Sequence, residues 1–165
     1  TVVPNRNAIF SSILYGMALS ISQSEDTDVI VALGVHSGDH AIYPDCRPEF
    51  YKALSHAFSI GNWESERVSF ELPYISGDKS TILRDALKSC KVLHLDFDAI
   101  MGSTITSYNP DRLGRSSGKS GSDVERILAF YDIGRIDPIE YVDSWEKVLA
   151  NALELKEEIR HEHHR

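Results

Sequence analysis

The sequence predicts an α/β fold in which helices cover both faces of a parallel sheet. Two observations carry this prediction: helical and strand patterns alternate along the chain, and the run from Val29 to Val35 is apolar throughout. Strands joined by helical crossovers pair in parallel, and a central parallel strand is buried on both sides. A chain of 165 residues, 42% of them hydrophobic, is long enough to bury the core of such a fold.

The first helix is predicted over Ala8 to Ile21, where apolar residues recur every four positions. The stripe comprises Ile9, Phe10, Ile13, Leu14, Met17 and Ile21. A stripe of this kind faces the core of a globular protein. We therefore expect these side chains to be buried.

The remaining elements follow in order along the chain. They are a strand over Asp28 to Val35, a helix over Glu49 to Phe58, a strand over Val68 to Leu72 and a helix over Asp78 to Ser89. Two later helices are predicted to open with capping boxes, Ser122 with Glu125 and Asp143 with Glu146. We expect a single α/β domain over residues 1–165, with a helical C-terminal part over about residues 122–165.

Composition restricts the class of protein. The net charge of −8 argues against a general nucleic-acid surface, which would be basic. Two scattered cysteines, Cys46 and Cys90, predict free thiols in a reducing cytoplasm rather than a disulfide framework. No segment has the length and apolarity of a membrane span, so we expect no membrane partner.

Polar residues crowd the loop that follows the first predicted strand. Ligands of open α/β sheets bind at the carboxyl ends of the strands. The candidate binding residues there are His36, Asp39, Tyr43, Asp45 and Arg47. The alternative is a capped helix start, with Asp45 near the N-cap, Pro48 in the first turn and Glu49 favourable to the macrodipole. That alternative does not explain the other four candidates together.

Two further patterns are weaker. His36 and His40 flank Asp39 like metal ligands, but the loop context excludes the helical H-E-x-x-H arrangement, so ligand hydrogen bonding is favoured. Gly118-Lys119-Ser120 approaches a phosphate-binding loop, yet Leu113 stands where the first glycine belongs and Asn109-Pro110-Asp111 predicts a turn instead of a strand. We expect a polar loop there.

Three parts of the chain resemble the 7-cyano-7-deazaguanine synthase family. They are Val3 to Asn7, then Gly34 to Asp39 followed by Tyr43 to Phe50, and finally Val124 to Pro138. The segments occur in the family's order, and the block from Tyr43 to Phe50 is highly specific. The resemblance implies an adenine-nucleotide hydrolase-like (PP-loop, Rossmann-like) fold, a homodimer and a place in queuosine biosynthesis.

The resemblance also implies a reaction. The family converts 7-carboxy-7-deazaguanine and ammonia to 7-cyano-7-deazaguanine in an ATP-dependent carbon–nitrogen ligation, with ATP as its magnesium complex. Because a carboxylate is a poor electrophile, adenylation first converts its oxygen into a leaving group that ammonia displaces to form an amide. A second activation, of the amide oxygen, then allows elimination to the nitrile. We expect small-molecule substrates and no direct nucleic-acid partner.

Roles within the site follow from the chemistry of that substrate. Asp45 or Asp39 suits the two donors of a guanine-like edge, and Arg47 suits a carboxylate or an adenylate phosphate by its fork geometry. Tyr43 is expected to stack on the deazapurine. These four residues, with His36, form the predicted substrate site.

Nucleotide contacts are predicted at two places. Arg6 and Asn7, at the start of the first helix, are expected to face nucleotide phosphate. Lys79, after the second strand, is expected to neutralise phosphate charge that develops during catalysis. The alternative for Lys79 is an exposed lysine in the first turn of a helix.

Two departures from the family pattern limit what the chain does alone. The family's Ser-Gly-Gly-x-Asp-Ser phosphate loop does not occur in the sequence, so we expect this chain to be the portion that follows that loop, lacking the first strand. The family's four zinc cysteines correspond to Ser107, Ser117, Ser120 and Asp123, which are poor zinc ligands. We expect no zinc.

Two alternative functions stay open at this point. One is a nucleotide- or deazapurine-binding module without ligase activity, which the absent loop and the lost cysteines favour. The other is a relative that stops at 7-amido-7-deazaguanine, because the sequence does not separate an amide product from a nitrile.

Overall fold

A computed structural model describes residues 3–162, leaving aside the side chains of residues 40, 41 and 159–162. Contacts within the chain form two compact units, Thr1–Asp78 and Lys79–Arg165. The single domain over residues 1–165 stays a prediction.

The first unit contains a two-stranded parallel sheet and three helices. They are α1 (Arg6–Glu25), β1 (Val29–Ala32), α2 (Ser37–Ile42), α3 (Pro48–Gly61) and β2 (Val68–Glu71). The strands pair from Val29 opposite Val68 to Ala32 opposite Glu71. This parallel pairing of the two predicted strands is confirmed. β1 is shorter than predicted because β2 offers partners for only four residues.

One face of this sheet is covered. Tyr15 of α1 contacts Phe58 of α3 in a tilted arrangement with ring centroids 4.7 Å apart, and both rings pack with Val31 and Val68. The opposite face carries Ile30, which is 60% exposed. Helices on both faces therefore remain a prediction.

The predicted helix over Ala8 to Ile21 is confirmed, but its expected orientation is wrong. All six members of the apolar stripe are exposed, and the buried residues of α1 are Ser11, Tyr15, Ala18 and Ser22. Periodicity identified the helix and its most apolar side. The sheet instead takes the side with small residues, which let β1 approach the helix while the Tyr15 ring fills the space beside it.

Over the residues described, the regular elements of the second unit are helices, apart from an isolated parallel bridge between Ser116 and Tyr141. Its helices are α4 (Lys79–Leu93), α5 (Phe97–Gly102), α6 (Gly121–Asp132) and α7 (Trp145–Glu162). α6 lies between two apolar clusters, with Phe130 packed towards α4 and α5 and Ile127 packed towards α7. Both side chains are completely buried.

A buried ion pair joins α6 to the segment before α7. The Arg126 guanidinium donates through Nε and Nη2 to the two carboxylate oxygens of Asp137, at 2.6 and 2.8 Å. Nη1 donates to Thr104 Oγ1 at 2.8 Å, and the Tyr141 hydroxyl donates to Asp137 at 2.8 Å. Asp137 and Arg126 are 4% and 5% exposed, so this network is internal architecture.

The start of α6 differs from the prediction by two residues. Ser120, not Ser122, is the N-cap, and its hydroxyl accepts from the Asp123 backbone N–H. Ser122 donates to the Thr106 carbonyl instead, at 3.1 Å. Just before the cap, Gly118 has φ +70°, and a Cβ there would lie 2.7 Å from Val148 Cγ1.

Candidate substrate-binding site

The loop after β1 is held by His36. This side chain is 5% exposed, and its Nδ1 accepts from the Gly38 backbone N–H at 3.1 Å, which caps α2. Its Nε2 lies 3.3 Å from Asp39 Oδ2. Because Nδ1 is an acceptor, the neutral ring carries its proton on Nε2 and directs it at Asp39. His36 therefore orients Asp39, and its direct contact with substrate stays a prediction.

Asp45 is not a helix cap. Pro44–Cys46 forms a 3₁₀ turn, and α3 begins only at Pro48, with Arg47 in the N-cap position and no side-chain cap bond. The capped-helix alternative is therefore wrong for Asp45, because the turn places its carboxylate before the helix. It holds for Pro48 and Glu49, which occupy the first turn as expected.

Cys46 is the centre around which the candidate residues converge. The thiol is 7% exposed. Burial raises its pKa, the charges of Asp39 and Asp45 raise it further, and a bond from Asn7 and the charge of Arg6 lower it. Two carboxylates and one guanidinium thus act on the same buried thiol. Sequence reasoning gave Cys46 no role, since no local pattern marks it as the hub of contacts from α1 and α2.

Asn7 connects α1 to the Tyr43–Phe50 block. Its Nδ2 donates to the Asp45 carbonyl at 3.2 Å and to Cys46 Sγ at 3.3 Å. Both donors of the amide are used within the protein. The structure gives Asn7 a positioning role, and its contact with nucleotide stays a prediction.

The other predicted site residues of the first unit differ in exposure. Tyr43 is half-buried and packs against the apolar cluster of Val35, Cys46 and Tyr51. Arg47 is exposed, as is Arg6 at the first position of α1. Burial in the same apolar cluster raises the pKa of Tyr51 to about 12, with smaller contributions from Cys46 and the two aspartates.

Lys79 begins α4 in the second unit. Its Nζ pairs with the Glu125 carboxylate on α6, and the lysine side chain is 21% exposed. The alternative of an exposed first-turn lysine is therefore wrong, because the pair joins α4 to α6. The catalytic role of Lys79 stays a prediction, and this ion pair weighs against it.

The residues predicted to stand where the family has zinc cysteines lack the donors that this metal prefers. Ser120 caps α6, and Ser117 Oγ accepts from the Lys119 backbone N–H at 3.3 Å. Asp123 is fully buried, with one carboxylate oxygen 3.4 Å from Thr106 Oγ1 and the other without a hydrogen-bond partner. Hydroxyls and one carboxylate lack the thiolate and imidazole donors of structural zinc. Ser107 lies half-buried on the segment next to Thr106.

Metal clusters and membrane spans are both absent from the described residues. Those residues contain no group of three or more histidine, cysteine, aspartate or glutamate side chains that could hold a metal ion. The His40 side chain, part of the weaker metal alternative, lies outside the described side chains. Within the same part of the chain no helix combines the length and apolarity needed to cross a membrane.

The chain is similar in sequence to known proteins of one family. Residues 1–134 match the family model described as queuosine biosynthesis protein QueC. Similar curated proteins include the 7-cyano-7-deazaguanine synthase of Alteromonas mediterranea, 43% identical over 141 residues that cover 86% of this chain and 57% of the relative. The 7-cyano-7-deazaguanine synthase 1 of Colwellia psychrerythraea gives the same figures.

A third relative agrees with these two. The 7-cyano-7-deazaguanine synthase of Psychromonas ingrahamii is 41% identical over 144 residues, which cover 87% of this chain and 58% of the relative. The chain thus spans little more than half the length of these relatives. No solved structure matches it.

Proposed function

The chain belongs to the QueC family of queuosine biosynthesis proteins, and from that premise we propose that it carries the substrate-recognition half of an ATP-dependent ligase. The proposed substrates are 7-carboxy-7-deazaguanine, ammonia and ATP, and the proposed product is 7-cyano-7-deazaguanine. The observation that carries the proposal is that Asn7 contacts both Asp45 and Cys46, in the loop after β1 where His36 also holds Asp39.

The chemistry divides into two activations. The substrate carboxylate attacks the α-phosphorus of ATP and releases pyrophosphate, and ammonia then displaces AMP to form the amide. The amide oxygen attacks the α-phosphorus of a second ATP and releases a second pyrophosphate, and elimination of AMP with loss of the two nitrogen protons leaves the nitrile. Each carboxylate oxygen leaves on one AMP, so two ATP are consumed. ATP enters as its magnesium complex, which supplies charge neutralisation at the phosphates.

The two aspartates suit the purine-like edge of the substrate. N1–H and the exocyclic amine are adjacent donors, and a carboxylate accepts both at once. Asp45 is half-buried and is not used as a cap. Asp39 is held by His36. In this proposal Asp45 pairs with the edge, while the Asp39–His36 pair keeps the loop in place.

Arg47 suits the reacting end of the substrate. Its guanidinium is exposed and lies directly after the turn that carries Asp45. A planar fork of N–H donors matches a carboxylate before adenylation and a phosphate after it. Tyr43 is proposed to stack on the ring system, with Arg6 reaching nucleotide phosphate from the start of α1.

The test is a reaction with defined components. The complete protein that contains this chain, given all three substrates, should release two AMP and two pyrophosphate per nitrile formed, measured by chromatography and mass spectrometry. The 165-residue chain alone should turn over no ATP, because its sequence contains no Ser-Gly-Gly-x-Asp-Ser loop. Robust turnover by the chain alone would contradict this proposal.

A binding module without ligase activity is the second candidate. It is favoured by the pairing of Lys79 with Glu125, which engages the lysine proposed to neutralise phosphate charge. Calorimetry with 7-carboxy-7-deazaguanine separates the two candidates when it is combined with the assay: binding without AMP release by the complete protein favours the module. Accumulation of the amide would identify a relative that stops after the first activation.

A further inference from the structure

A recess lies between the ends of two helices in the first unit. It has a volume of about 370 Å³ and is lined by Leu19, Gln23, Ile60, Gly61, Asn62 and Trp63. The first two of these residues belong to α1, and the others end α3 or follow it directly. β1 begins at Val29, after α1, and β2 begins at Val68, after α3. The recess therefore adjoins the starting ends of the strands, whereas the candidate substrate site follows the end of β1.

Trp63 is the most exposed large apolar residue among those described. It is 91% exposed, and Ile60 in the last turn of α3 is 74% exposed. A tryptophan side chain carries a large apolar area, and tryptophan is enriched among the residues that dominate binding energy. Two such residues at the mouth of one recess therefore indicate a docking surface.

Hydrogen bonds hold the turn that presents Trp63. Asn62 Nδ2 donates to a carbonyl of α3 at 3.0 Å, and Ser65 Oγ donates to another at 2.8 Å. Glu64 between them has a φ of +57°, a conformation that residues with a side chain rarely adopt. Because the turn is fixed before a partner arrives, less conformational entropy is lost on binding.

The charge around the recess is negative. Residues 19–28 and 60–68 contain five carboxylates and one guanidinium, which give a net charge of −4. The guanidinium is that of Arg67, and it pairs with Asp26 and Asp28. The other three carboxylates are exposed and have no ion-pair partner within the described part of the chain. We call these three the acidic rim, and they are Glu25, Glu64 and Glu66.

The ends of the two helices add negative potential. Backbone carbonyls at the C-terminus of a helix carry partial negative charge, which a lysine or arginine in the last turn commonly offsets. Neither α1 nor α3 has a basic residue in its last turn. Arg67 donates to the Asp26 carbonyl just beyond α1, but in the described residues no cationic side chain bonds the end of α3. A cation from a partner is therefore most favourable at the end of α3, beside Trp63.

We propose that this recess docks a basic segment of a protein partner. An apolar side chain of the segment enters the recess against Ile60. A neighbouring arginine or lysine lies over the Trp63 indole, where it is attracted by the ring, the acidic rim and the end of α3. The same charges steer the partner towards the surface. This inference goes beyond the proposed function, because the substrate loop lies at the other end of β1.

Two other occupants fit this surface less well. A nucleic acid is repelled by a net charge of −4, since surfaces that bind nucleic acids are basic. A second copy of the chain would bring two acidic rims together across a two-fold axis, where like charges repel. A basic segment complements the acidic rim and the indole at once.

Calorimetry on the complete protein that contains this chain tests the proposal. The probe is a capped peptide in which three arginines alternate with two leucines, and the matched acidic probe has glutamate in place of each arginine. At about 0.15 M salt the basic probe should bind at least about tenfold more tightly than the acidic one. Trp63→Ala should weaken binding by about tenfold, the scale for a central aromatic residue. Glu64→Gln should weaken it by roughly twofold to fivefold, the scale for one exposed charge.

Two substitutions in the second unit are matched controls. Tyr108 is an aromatic residue that is 70% exposed, and Glu154 is an exposed carboxylate on α7. Tyr108→Ala and Glu154→Gln should each leave the affinity unchanged. Fluorine NMR of protein labelled with 5-fluorotryptophan locates the probe, since the resonance that Trp63→Ala removes should shift when the basic probe binds.

Several outcomes would overturn the proposal. They are equal affinity for the two probes, an equal loss in a control, a Trp63 resonance that does not shift, and tighter binding of a single-stranded oligonucleotide. A dimer that Trp63→Ala dissociates would assign the surface to a second copy instead. A Trp63 indole that a soluble nitroxide does not reach in the free protein would show that the recess is already covered. None of these measurements involves ATP turnover, so failure here is distinguishable from failure of the proposed function.

Discussion

The candidate site of the first unit and the interior of the second unit differ in how their charged residues are satisfied. The second unit contains the ion pairs of Arg126 with Asp137 and of Lys79 with Glu125. The side chains of the Arg126–Asp137 pair are almost fully buried. In the first unit Arg47 and Arg6 are exposed, while Asp39 and Asp45 act electrostatically on the buried Cys46 thiol. Charged side chains that pair with each other inside the protein stabilise the fold, whereas exposed charged side chains are available to bind a ligand.

The largest effect on stability should come from breaking the buried Arg126–Asp137 ion pair. Arg126→Ala leaves Asp137 buried without its partner, which should lower the free energy of unfolding by about 3–5 kcal/mol. Arg84→Ala is the control, since its pair with Asp132 is more than half exposed and should contribute at most about 1 kcal/mol. Urea unfolding of both variants measures the difference. Equal losses would remove the distinction between the units.

The next effect should appear in activity, with little change in stability. Arg47→Ala in the complete protein should reduce kcat/KM by an amount equivalent to roughly 2–4 kcal/mol, the scale of a lost charged contact in a dry site. Asp45→Asn should cost a comparable amount, because its amide presents a donor to a substrate donor. The melting temperature should fall only slightly in both. Full activity in Arg47→Ala would mean that the Tyr43–Phe50 block has a structural role and does not recognise the substrate.

Alkaline pH should weaken the first unit through Tyr51. The unfolded chain releases this phenol proton near pH 10 and the folded chain near pH 12, so the folded form binds more protons between these values. The free energy of unfolding should therefore fall as the pH rises through this window, by roughly 2–3 kcal/mol at its upper end. Burial also raises the pKa of Tyr141, so the informative quantity is the difference between the parent chain and Tyr51→Phe.

That difference is measured by urea unfolding at a series of pH values from about 9 upwards. Tyr51→Phe should decline less steeply than the parent chain. Tyr108→Phe, which changes a ring that is 70% exposed, should follow the parent. Identical slopes for all three would show that Tyr51 is not held in its neutral form.

The smallest effect should follow chelation. With serines and Asp123 at the family's zinc positions, purified protein should contain well under one zinc per chain, and EDTA should leave its melting temperature unchanged. A structural zinc contributes folding free energy directly, so its removal would be visible. Stoichiometric zinc by elemental analysis, with loss of fold on chelation, would show that the hydroxyl set fits metal after all.

Local pattern predicted the elements of the fold better than their contacts. The parallel pairing of β1 and β2 and the presence of α1 followed from periodicity and composition, although α1 extends beyond the predicted Ala8 to Ile21 at both ends. The buried side of α1 did not, because an apolar stripe does not reveal which layer covers it. The N-cap of α6 is Ser120 and not the predicted Ser122, because either serine could cap the helix and the Ser122 hydroxyl donates to the Thr106 carbonyl instead.

The candidate site shows the same limit. The residues of the loop after β1 were identified from their types and position, but the convergence on Cys46 was not. Asn7 and Cys46 are 39 positions apart, and Arg126 and Asp137 are separated by a helix end and a turn. Pairings of this kind depend on how elements pack, and no short stretch of sequence encodes them.

The conformation and packing of Gly118 restrict which substitutions this part of the chain tolerates. Its φ is positive, and a side chain at this position would place its Cβ 2.7 Å from a Val148 methyl group, which leaves little room for any other residue. Lys119 beside it is exposed and Ser120 is replaceable by other caps. The triplet that resembles a phosphate loop should therefore lose its lysine first in a mutational scan, while its glycine persists because α7 packs against it.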